Sequence, residues 1–519
     1  MPVGEAMRLV TVAVVNNQAR WLGSLAGIAA AAVSIGLAEL IAAFAGPQSA
    51  PVIAVGDVVV DSVPPPVKTF AISTFGTHDK TALIAGTFIL LALVAAVIGA
   101  WAVRDIRIGY AGIAAFGILG AVAALTRPAA GFGAIFPSLI GACAGAGALY
   151  YVLRGPRVRR PDLDTRTGRR TVLISSGVAL VGALVAEVIG RQLGERRSVT
   201  AARQAVVLPT PSGSPAPSLA PEQGISGLTP FVTPNDQFYR IDTALVVPQV
   251  DPTTWTLRIH GKVRREISLT YKQLLARPMV ERYITLACVS NEVGGNLISN
   301  ALFQGVLLKD LLAEAGPLPG ADQLVGRSAD GFTAGSPTAV VMDGRDAMLA
   351  VGMNGAPLPV EHGFPVRTVV PGLYGYVSGT KWITELELTS FADFDAYWVP
   401  RGWSAMGPIK TESRIDTPTD GKSVNAGSVT IAGVAWAQHR GISKVEVRVD
   451  NDPWRAAKLD AVPSIDTWRQ WFLPWNATPG PHQLQVRATD NAGQTQTSEQ
   501  ADPAPNGASG YHTISVTVR

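Results

Sequence analysis

Long apolar stretches dominate the first 195 residues of the chain, and short alternating segments replace them afterwards. Five of these stretches approach the ~20 residues that an α-helix needs to cross a bilayer. They run over Trp21–Ala45, Thr81–Val103, Ile108–Ala124, Phe132–Leu153 and Val172–Ile189. A soluble core would instead need five long buried helices with almost no polar face, which is unusual. The pattern therefore predicts an α-helical membrane bundle over residues 1–195.

Basic residues predict how this bundle is oriented. One group precedes the first span, another follows the second span, and seven arginines lie between residues 154 and 170. With five spans all three groups fall on one side, which the positive-inside tendency makes cytoplasmic, so the chain beyond residue 195 lies outside. Arg191, Arg196 and Arg197 oppose this orientation weakly. The mixed segment Pro51–Phe75 is predicted to be an external loop on the membrane surface.

Turn-forming and polar residues divide the rest of the chain into a linker and two domains. Residues 196–226 are rich in proline and serine, which predicts an extended, semi-rigid tether. Residues 227–404 alternate strand-like and helix-like segments, which predicts a mixed α+β domain. Its strands are expected at Trp255–His260, Tyr283–Ala287, Val366–Val370 and Trp382–Leu388, and its helices at Ser268–Ala276 and Val306–Ala315.

Residues 405–519 have an all-β pattern. Short strand-like segments separated by turns over about 100 residues are typical of an immunoglobulin-like sandwich. The segments are Ser428–Trp436, Ile442–Val449, Trp468–Trp475, Gln483–Ala488 and His512–Val518. The predicted fold is therefore multi-domain: a helical membrane bundle, an α+β domain and a β-sandwich.

Composition agrees with this division. Only 16% of the 519 residues are charged and the mean hydropathy is +0.24, which is unusual for a soluble protein. The net charge of +4 is small, and no long single-sign run lies outside the arginine cluster, so no nucleic-acid partner is expected.

The two cysteines of the chain lie in different predicted compartments. Cys143 falls in the fourth predicted span, and Cys288 ends the apolar run Ile284–Cys288, directly after the predicted strand Tyr283–Ala287. A disulfide would have to join the two compartments, so Cys288 is expected to be a free thiol or a metal ligand. Taken alone, a single cysteine is more often a small buried apolar residue.

Motifs downstream of Cys288 favour a metal ligand over a buried apolar residue. The segments His362–Arg367, Val370–Gly372 and Ser378–Trp382 follow in order, and together with Cys288 they resemble the molybdenum-cofactor domain of the sulfite oxidase family. The related periplasmic methionine-sulfoxide reductase catalytic subunit is similar too. The segment Thr233–Tyr239 resembles the family's opening motif. The resemblance covers the α+β domain, and residues 430–436 extend it to the family's dimerisation domain.

The resemblance implies a molybdenum–molybdopterin cofactor and a set of residues that hold it. Cys288 would be the metal ligand, since a soft thiolate suits a high-valent molybdenum centre, and a basic clamp suits the cofactor's phosphate. The implied cofactor-binding residues are Asn235, Phe238, Tyr239, Ser328, His362, Arg367, Ser378, Gly379, Thr380 and Lys381. Each also has an ordinary explanation: the aromatic residues could be core residues, and Asn235 could cap a turn.

Three departures from the family pattern bear on the substrate. Glu292-Val293 stands where sulfite oxidases have an arginine pair, Ile241-Asp242 replaces a further arginine, and the stretch Phe332–Gly335 contains no tyrosine. Binding a dianion requires concentrated positive charge. We therefore expect a small substrate other than sulfite, neutral or cationic, that donates or accepts an oxygen atom.

The electron partner is expected to be a separate protein or a quinone. The sequence has no Cys-x-x-Cys-His motif and no cytochrome b5-like segment, and His78, at a loop edge, is the only histidine before residue 195. No haem is expected. Resemblance to the dimerisation domain implies a homodimer through the sandwich.

The sequence thus predicts a multi-pass protein of the cell membrane whose extracytoplasmic cofactor domain is a molybdopterin-dependent oxidoreductase. The segment Gly168–Leu173, with Arg169 and Arg170, resembles an internal twin-arginine export signal. Alone it could equally be a positive-inside cluster, but a folded, cofactor-loaded domain requires export in the folded state. The alternative is a non-catalytic membrane receptor that retains a relic cofactor domain.

Overall fold

The computed structural model describes residues 3–63, 79–127, 131–154, 166–195, 199–212, 216, 219 and 224–519. The chain divides into two compact units, Met1–Ser198 with Thr243–Val247, and Val199–Asp242 with Pro248–Arg519. Several predicted features lie outside the described residues: His78, Arg196, Arg197, residues 64–75 of the predicted external loop, and the arginines between 155 and 165.

The first unit is helical. Its helices are α1 (Val3–Ala45), α2 (Pro51–Ser62), α3 (Asp79–Ala102), α4 (Ile106–Leu125), α5 (Phe136–Arg154) and α6 (Arg166–Glu195). Among the described residues, five stretches are long and apolar enough to cross a membrane: Ala19–Ala45, Ala82–Ala102, Ile106–Leu125, Phe132–Arg154 and Arg166–Gly190. They coincide with the five predicted spans.

Small residues let these helices approach closely. A methyl group placed on Gly27 of α1 would collide with the carbonyl oxygen of Ala95 and would lie 2.8 Å from the Cα of Gly99, both on α3. Gly23 meets the same segment, so the two glycines, four residues apart, form one contact face.

The loop prediction for Pro51–Phe75 is wrong for its first half. Residues Pro51–Ser62 form α2, which has proline at its first turn, a position where the missing N–H costs nothing. Its Ala54 is fully buried with Ala123 and Ala124 of α4. The apolar residues between Pro51 and Val60 therefore form a helix, although Asp57 and Asp61 are typical of a loop.

The second unit begins with a segment that docks on the α+β domain. Helix α7 (Thr200–Gln204) carries Arg203, whose guanidinium donates to the carbonyl oxygens of Leu358 and Pro357 at 2.6 and 2.5 Å. Farther along, Ser212 donates its backbone N–H to Met279 at 3.0 Å. Residues 199–212, predicted to be part of a tether, therefore belong to this unit.

Two sheets form the α+β domain. The first has the order β2-β1-β10-β5-β6, and the second has β3-β4-β7-β8 with β9 paired to β7. The strands are β1 (Thr256–Gly261), β2 (Ile267–Thr270), β3 (Val280–Ala287), β4 (Ile298–Leu307), β5 (Gln323–Ser328), β6 (Thr333–Pro337), β7 (Met348–Met353), β8 (Ala356–Pro357), β9 (Arg367–Val369) and β10 (Ile383–Thr389). The helices are α8 (Tyr271–Leu275), α9 (Leu308–Ala315), α10 (Thr338–Val341) and α11 (Gly375–Ser378).

Two predicted helices are shorter than expected. Residues 268–270 belong to β2, where burial alternates, and α8 starts only after Thr270, which caps it together with Gln273. Likewise β4 continues to Leu307 before α9 begins. Both errors come from apolar residues whose spacing fits a strand end as well as a helix start.

The β-sandwich consists of two sheets, ordered β11-β13-β17-β16 and β12-β19-β18-β14-β15. Its strands are β11 (Glu412–Thr417), β12 (Ser423–Val424), β13 (Gly427–Trp436), β14 (Ile442–Val449), β15 (Arg455–Ala456), β16 (Lys458–Leu459), β17 (Arg469–Ala477), β18 (Gly480–Asp490) and β19 (His512–Val518). Trp436 and Trp468 are buried in the same apolar cluster as Ile298 and Leu373 of the α+β domain. The two domains therefore share a core.

Candidate active site

Cys288 lies at the carboxyl end of β3, where the chain leaves the sheet. Its N–H donates to the carbonyl oxygen of Leu297 at 2.9 Å, and its own carbonyl accepts the N–H of Asn291 at 3.1 Å. The side chain is buried and forms no disulfide. Burial raises the pKa of the thiol, while hydrogen bonds from Ser290 and the charge of Lys381 lower it in part. A bound cation would favour the thiolate that a soft metal requires.

Arg367, at the start of β9, is a buried cation with 5% of its surface exposed. Its guanidinium donates to the carbonyl oxygens of His362 at 3.3 Å and Thr368 at 3.4 Å. Within the described part of the chain it has no carboxylate within 4 Å. Burial lowers the pKa of Arg367 to about 10, which still leaves it charged at neutral pH. A buried charge of this kind calls for an anionic partner.

Lys381 is the second buried cation. Its ammonium donates to a carboxylate oxygen of Asp242 and to the carbonyl oxygen of Glu361, both at 3.2 Å. Burial lowers the pKa of Lys381 to about 8, although Asp242 opposes that shift. Asp242 also accepts from Arg240 at 2.8 Å, but Arg240 is 41% exposed.

Gly363 allows the two cations to share one site. Its φ is +110°, and a methyl group there would lie 3.0 Å from Cβ of Arg367 and 3.1 Å from Cα of Lys381. An L-residue would be strained by the backbone angle and crowded by both neighbours. The sequence His362-Gly363 is therefore required locally if β9 and Lys381 are to converge.

His362 is buried beside this pair, and Nε2 lies 3.2 Å from the carbonyl oxygen of Asn235. Because a carbonyl only accepts, Nε2 carries the proton and Nδ1 is left as an acceptor. Nδ1 is buried and has no hydrogen-bond partner among the described residues. Burial, Arg367 and Lys381 lower the pKa of His362 to about 3, so the ring is neutral.

The segment Ser378–Thr380 is held by its own side chains. The Ser378 hydroxyl donates to the carbonyl oxygen of Tyr374 at 3.0 Å, and the Thr380 hydroxyl donates to that of Gly326 at 3.4 Å. A methyl group on Gly379 would lie 3.4 Å from a guanidinium nitrogen of Arg367, so the loop backbone passes against that cation. The predicted hydroxyl donors are thus engaged within the protein.

The opening motif contributes in three different ways. The side-chain oxygen of Asn235 accepts a hydrogen bond from the side chain of Asn354 at 2.8 Å, so this amide is engaged within the protein. The backbone carbonyl oxygen of Asn235 holds His362. Phe238 packs in the core, edge-on to His362 with ring centroids 5.4 Å apart. Tyr239 stacks on Phe238, and the Tyr239 hydroxyl lies near Gly375. Burial and the proximity of Cys288 raise the pKa of Tyr239.

Ser328 lies beside the cation pair through the backbone. Ala329 donates its N–H to the carbonyl oxygen of Trp382 at 2.9 Å, and the Ser328 hydroxyl accepts the N–H of Asp330 at 3.4 Å. Burial and the charge of Asp242 raise the pKa of Asp330. Two carboxylates, Asp242 and Asp330, therefore lie on this side of the site.

The structure also locates the residues that depart from the family pattern. Glu292 is exposed and Ile241 is 45% exposed, whereas the side chain of Asp242 is only 5% exposed. Phe332 contacts the ring of Tyr397, with centroids 5.6 Å apart, so a tyrosine from a distant segment lies where the local sequence has none. Arg401 stacks on that tyrosine, its Cζ 3.7 Å from the ring centroid.

Sequence reasoning missed a buried acid at the junction with the sandwich. Glu412, the first residue of β11, is 4% exposed, and its Oε1 has no partner among the described residues. Burial raises the pKa of Glu412 to about 8, and it lies close enough to Tyr374 to raise the pKa of that phenol as well. No local motif marks this glutamate.

These residues fit a molybdopterin cofactor. The site offers a buried thiol, two buried cations of which one has no carboxylate, and an unpaired acceptor on His362. A phosphate matches the cations, and the N–H groups of a pterin match the free ring nitrogen.

Comparison with known proteins agrees with the geometry. Residues 244–398 match the oxidoreductase molybdopterin binding domain, and residues 412–516 match a bacterial Ig domain. Human mitochondrial sulfite oxidase is 30% identical over 317 residues, which cover 51% of this chain and 57% of that protein. Rice nitrate reductase [NADH] 1 is 27% identical over 332 residues, covering 51% of this chain and 36% of that protein.

Among solved structures, the sulfane dehydrogenase SoxCD from Paracoccus pantotrophus aligns with a TM-score of 0.49 and 26% identity, over 55% of this chain and 81% of that chain. The chain spans about half the length of the curated relatives it matches. Its α+β domain is a molybdopterin-binding oxidoreductase domain of the sulfite oxidase type, followed by an immunoglobulin-like domain.

Proposed function

We propose that this protein is a membrane-anchored molybdenum-cofactor oxidoreductase that transfers an oxygen atom to or from a small substrate other than sulfite on the extracytoplasmic side. The observation that carries the proposal is that the buried Cys288 thiol lies within electrostatic range of the buried Lys381, while Tyr239 lies near both Cys288 and the buried Arg367. When bound, the cofactor supplies the oxygen-atom transfer and stores two electrons.

The chain's own residues would bind and orient that cofactor. Cys288 would ligate the metal, Arg367 and Lys381 would neutralise the phosphate, and neutral His362 would accept a hydrogen bond through Nδ1. The aromatic rings of Phe238 and Tyr239 would exclude water from the same face, which strengthens every charge interaction inside. Ser328, Ser378, Gly379 and Thr380 would shape the backbone around the cations, and Asn235 would hold His362.

The reaction balances as XO + 2H⁺ + 2e⁻ → X + H₂O, or its reverse. The electrons would come from, or pass to, a separate electron-transfer protein or a quinone, without haem in this chain. We also propose that the protein forms a homodimer through the sandwich.

The substrate is inferred from charge. Asp242 is buried against Lys381, and Asp330 lies nearby, so much of the positive charge is already balanced. Sequence alone suggests Glu292 as the repulsive group, but Glu292 is exposed, where solvent screens its charge. Asp242 is therefore the stronger obstacle to a dianion such as sulfite, and a neutral or cationic substrate is favoured.

Turnover measurements test this directly. Full-length protein loaded with cofactor would be assayed with a neutral sulfoxide and an N-oxide against a reduced dye, and with sulfite against an electron-accepting dye. We expect saturable turnover of at least one neutral substrate and negligible sulfite oxidation, with Cys288→Ser inactive in every assay. Efficient, saturable sulfite oxidation would refute the substrate assignment.

Export is tested separately. Arg169 and Arg170 lie in the first turns of α6, and changing both to lysine keeps the charge but removes the guanidinium pair. A reporter fused after Arg519 should then read cytoplasmic, while the wild type reads extracytoplasmic. A reporter that stays outside in the variant would contradict export by a twin-arginine signal.

A further inference from the structure

The strand that carries Cys288 is an edge strand, and the sandwich covers its free edge. Among the described strands, β3 pairs with β4 alone. Thr285, three residues before Cys288, is fully buried on that edge. Its N–H donates to the carbonyl oxygen of Asp466 at 3.0 Å, and its carbonyl accepts from the side chain of Gln438 at 3.1 Å. Both partners belong to the sandwich.

Trp468 joins this strand to Phe231, two residues before the opening motif. Its backbone N–H donates to the Thr285 hydroxyl at 2.7 Å, and its indole N–H donates to the carbonyl oxygen of Phe231 at 2.9 Å. Asn300 of β4 closes the network, since it accepts from the Thr285 hydroxyl at 2.9 Å and donates to Phe231 at 2.8 Å. One sandwich residue thus contacts both the strand that leads to Cys288 and the segment that leads into the opening motif.

The sandwich also holds the far end of the Cys288 loop. Arg414 of β11 donates to the carbonyl oxygen of Gly295 at 2.8 Å and is fixed by Asp416 at 2.6 Å. Gly294 has φ +77°, and a methyl group there would collide with the ring of His512. The chain on both sides of Cys288 is therefore fastened to the sandwich.

We propose that the immunoglobulin-like sandwich is a positioning element for Cys288, with Trp468 and Thr285 as the residues that transmit its position. An edge strand whose backbone N–H and C=O groups lack partners would fray. Thr285 is three residues, or about 10 Å of strand, from Cys288, so a shift of Thr285 would also move Cys288. The proposal rests on the proposed function only for the role of Cys288 as metal ligand. A sandwich that served dimerisation alone would not need these contacts.

Trp468→Phe and Trp471→Phe form a matched pair for the test. Both tryptophans are buried to 1% exposure or less, but the indole N–H of Trp471 has no partner among the described residues. The two variants delete the same atoms, yet only Trp468→Phe loses a hydrogen bond to the α+β domain. Thr285→Val is a second variant, which keeps the side-chain shape and removes the hydroxyl.

The readouts do not depend on activity. The full chain carries Cys143→Ser, which leaves Cys288 as the single thiol. In cofactor-free protein, amide hydrogen exchange over residues 284–289 and the rate of Cys288 alkylation are measured. In loaded protein, the sulfur-to-molybdenum charge-transfer absorption is measured.

Thr285→Val loses the two hydrogen bonds of its hydroxyl, with Trp468 and Asn300, and Trp468→Phe loses the indole bond to Phe231. Exchange and alkylation should therefore rise roughly threefold to tenfold in both variants. Trp471→Phe should leave both at the wild-type rate, even if its thermal midpoint falls. The absorption band should shift or broaden in the first two variants only. Thr285→Val decides the question if Trp468→Phe does not fold.

Equal rates in the Trp468 and Trp471 variants, or wild-type rates in Thr285→Val, would overturn the proposal. Changed exchange in a protein that binds no molybdenum would support the positioning role while refuting the proposed function, so the two failures are distinguishable.

Discussion

The buried pair formed by Asp242 and Lys381 gives the sharpest quantitative prediction. Asp242→Asn removes the charge but keeps the size of the side chain. The pair is 3.2 Å apart, and the two side chains are 5% and 10% exposed, so solvent screens it little. At an effective dielectric constant of about 20 the attraction is about 5 kcal/mol. The ion pair between Arg240 and Asp242 adds little to this attraction, because the Arg240 side chain is 41% exposed.

The net effect is smaller than the Coulomb attraction. Asparagine can still accept a hydrogen bond from Lys381, and deprotonation of the lysine relieves part of the penalty. Breaking a buried pair typically costs 3–5 kcal/mol, so about 3 kcal/mol is expected in the cofactor-free protein. That loss corresponds to a thermal midpoint lowered by roughly 6 °C or more. In loaded protein the cofactor's phosphate replaces the lost counter-ion, so the loss should be smaller.

Thermal unfolding of the full chain, with and without cofactor, measures both effects. Asp343→Asn is the matched control, because it removes a more exposed carboxylate whose partner Arg345 also donates to the carbonyl oxygen of Pro371. A cofactor-free midpoint unchanged by Asp242→Asn would refute the buried pair. An equal loss in loaded and cofactor-free protein would refute phosphate binding by Lys381.

Three titrations give further predictions. The pKa of His362 lies at about 3, below its ordinary value, so the unfolded chain takes up the proton first. Stability should therefore fall as pH drops from about 6.5 to 3, and in His362→Gln the thermal midpoint should depend less on pH over that range. Glu412 should have the opposite effect, because burial raises its pKa to about 8, so stability should fall as pH rises from about 4.5 to 8. At pH 8–9 the free energy of unfolding of Glu412→Gln should exceed that of the wild type by a few kcal/mol, whereas the control Glu446→Gln should show no such gain. Lys381 loses its charge above about pH 8, so cofactor retention in dialysis should weaken there, and Lys381→Arg should remove that pH dependence.

The sequence predicted the elements that have strong local signals. The five apolar stretches and most sandwich strands have a clear periodicity or length, and the structure has helices and strands there. The helix Pro51–Ser62 was not predicted, because Asp57, Asp61 and the proline run at residues 64–66 are typical of a loop. Strands β4, β5 and β7 were not predicted, because buried central strands lack alternation and their partners are distant in sequence.

The candidate site was predictable as a set of residues but not as a geometry. Motifs identify Cys288, His362, Arg367 and Lys381, which the structure brings into one region. They do not reveal that Asn235 is bonded to Asn354. The Trp468 contacts depend on segments more than 180 residues apart, and no local pattern encodes such a contact.

Molybdenum analysis of the purified full chain tests the central claim most directly. Wild-type protein prepared with cofactor supply should contain about one molybdenum per chain. Cys288→Ser, which nearly preserves volume, should lose activity and the sulfur-to-molybdenum absorption while its thermal midpoint stays close to that of the wild type. Folded wild-type protein that lacks molybdenum under these conditions would contradict the account and favour a receptor with a relic cofactor domain.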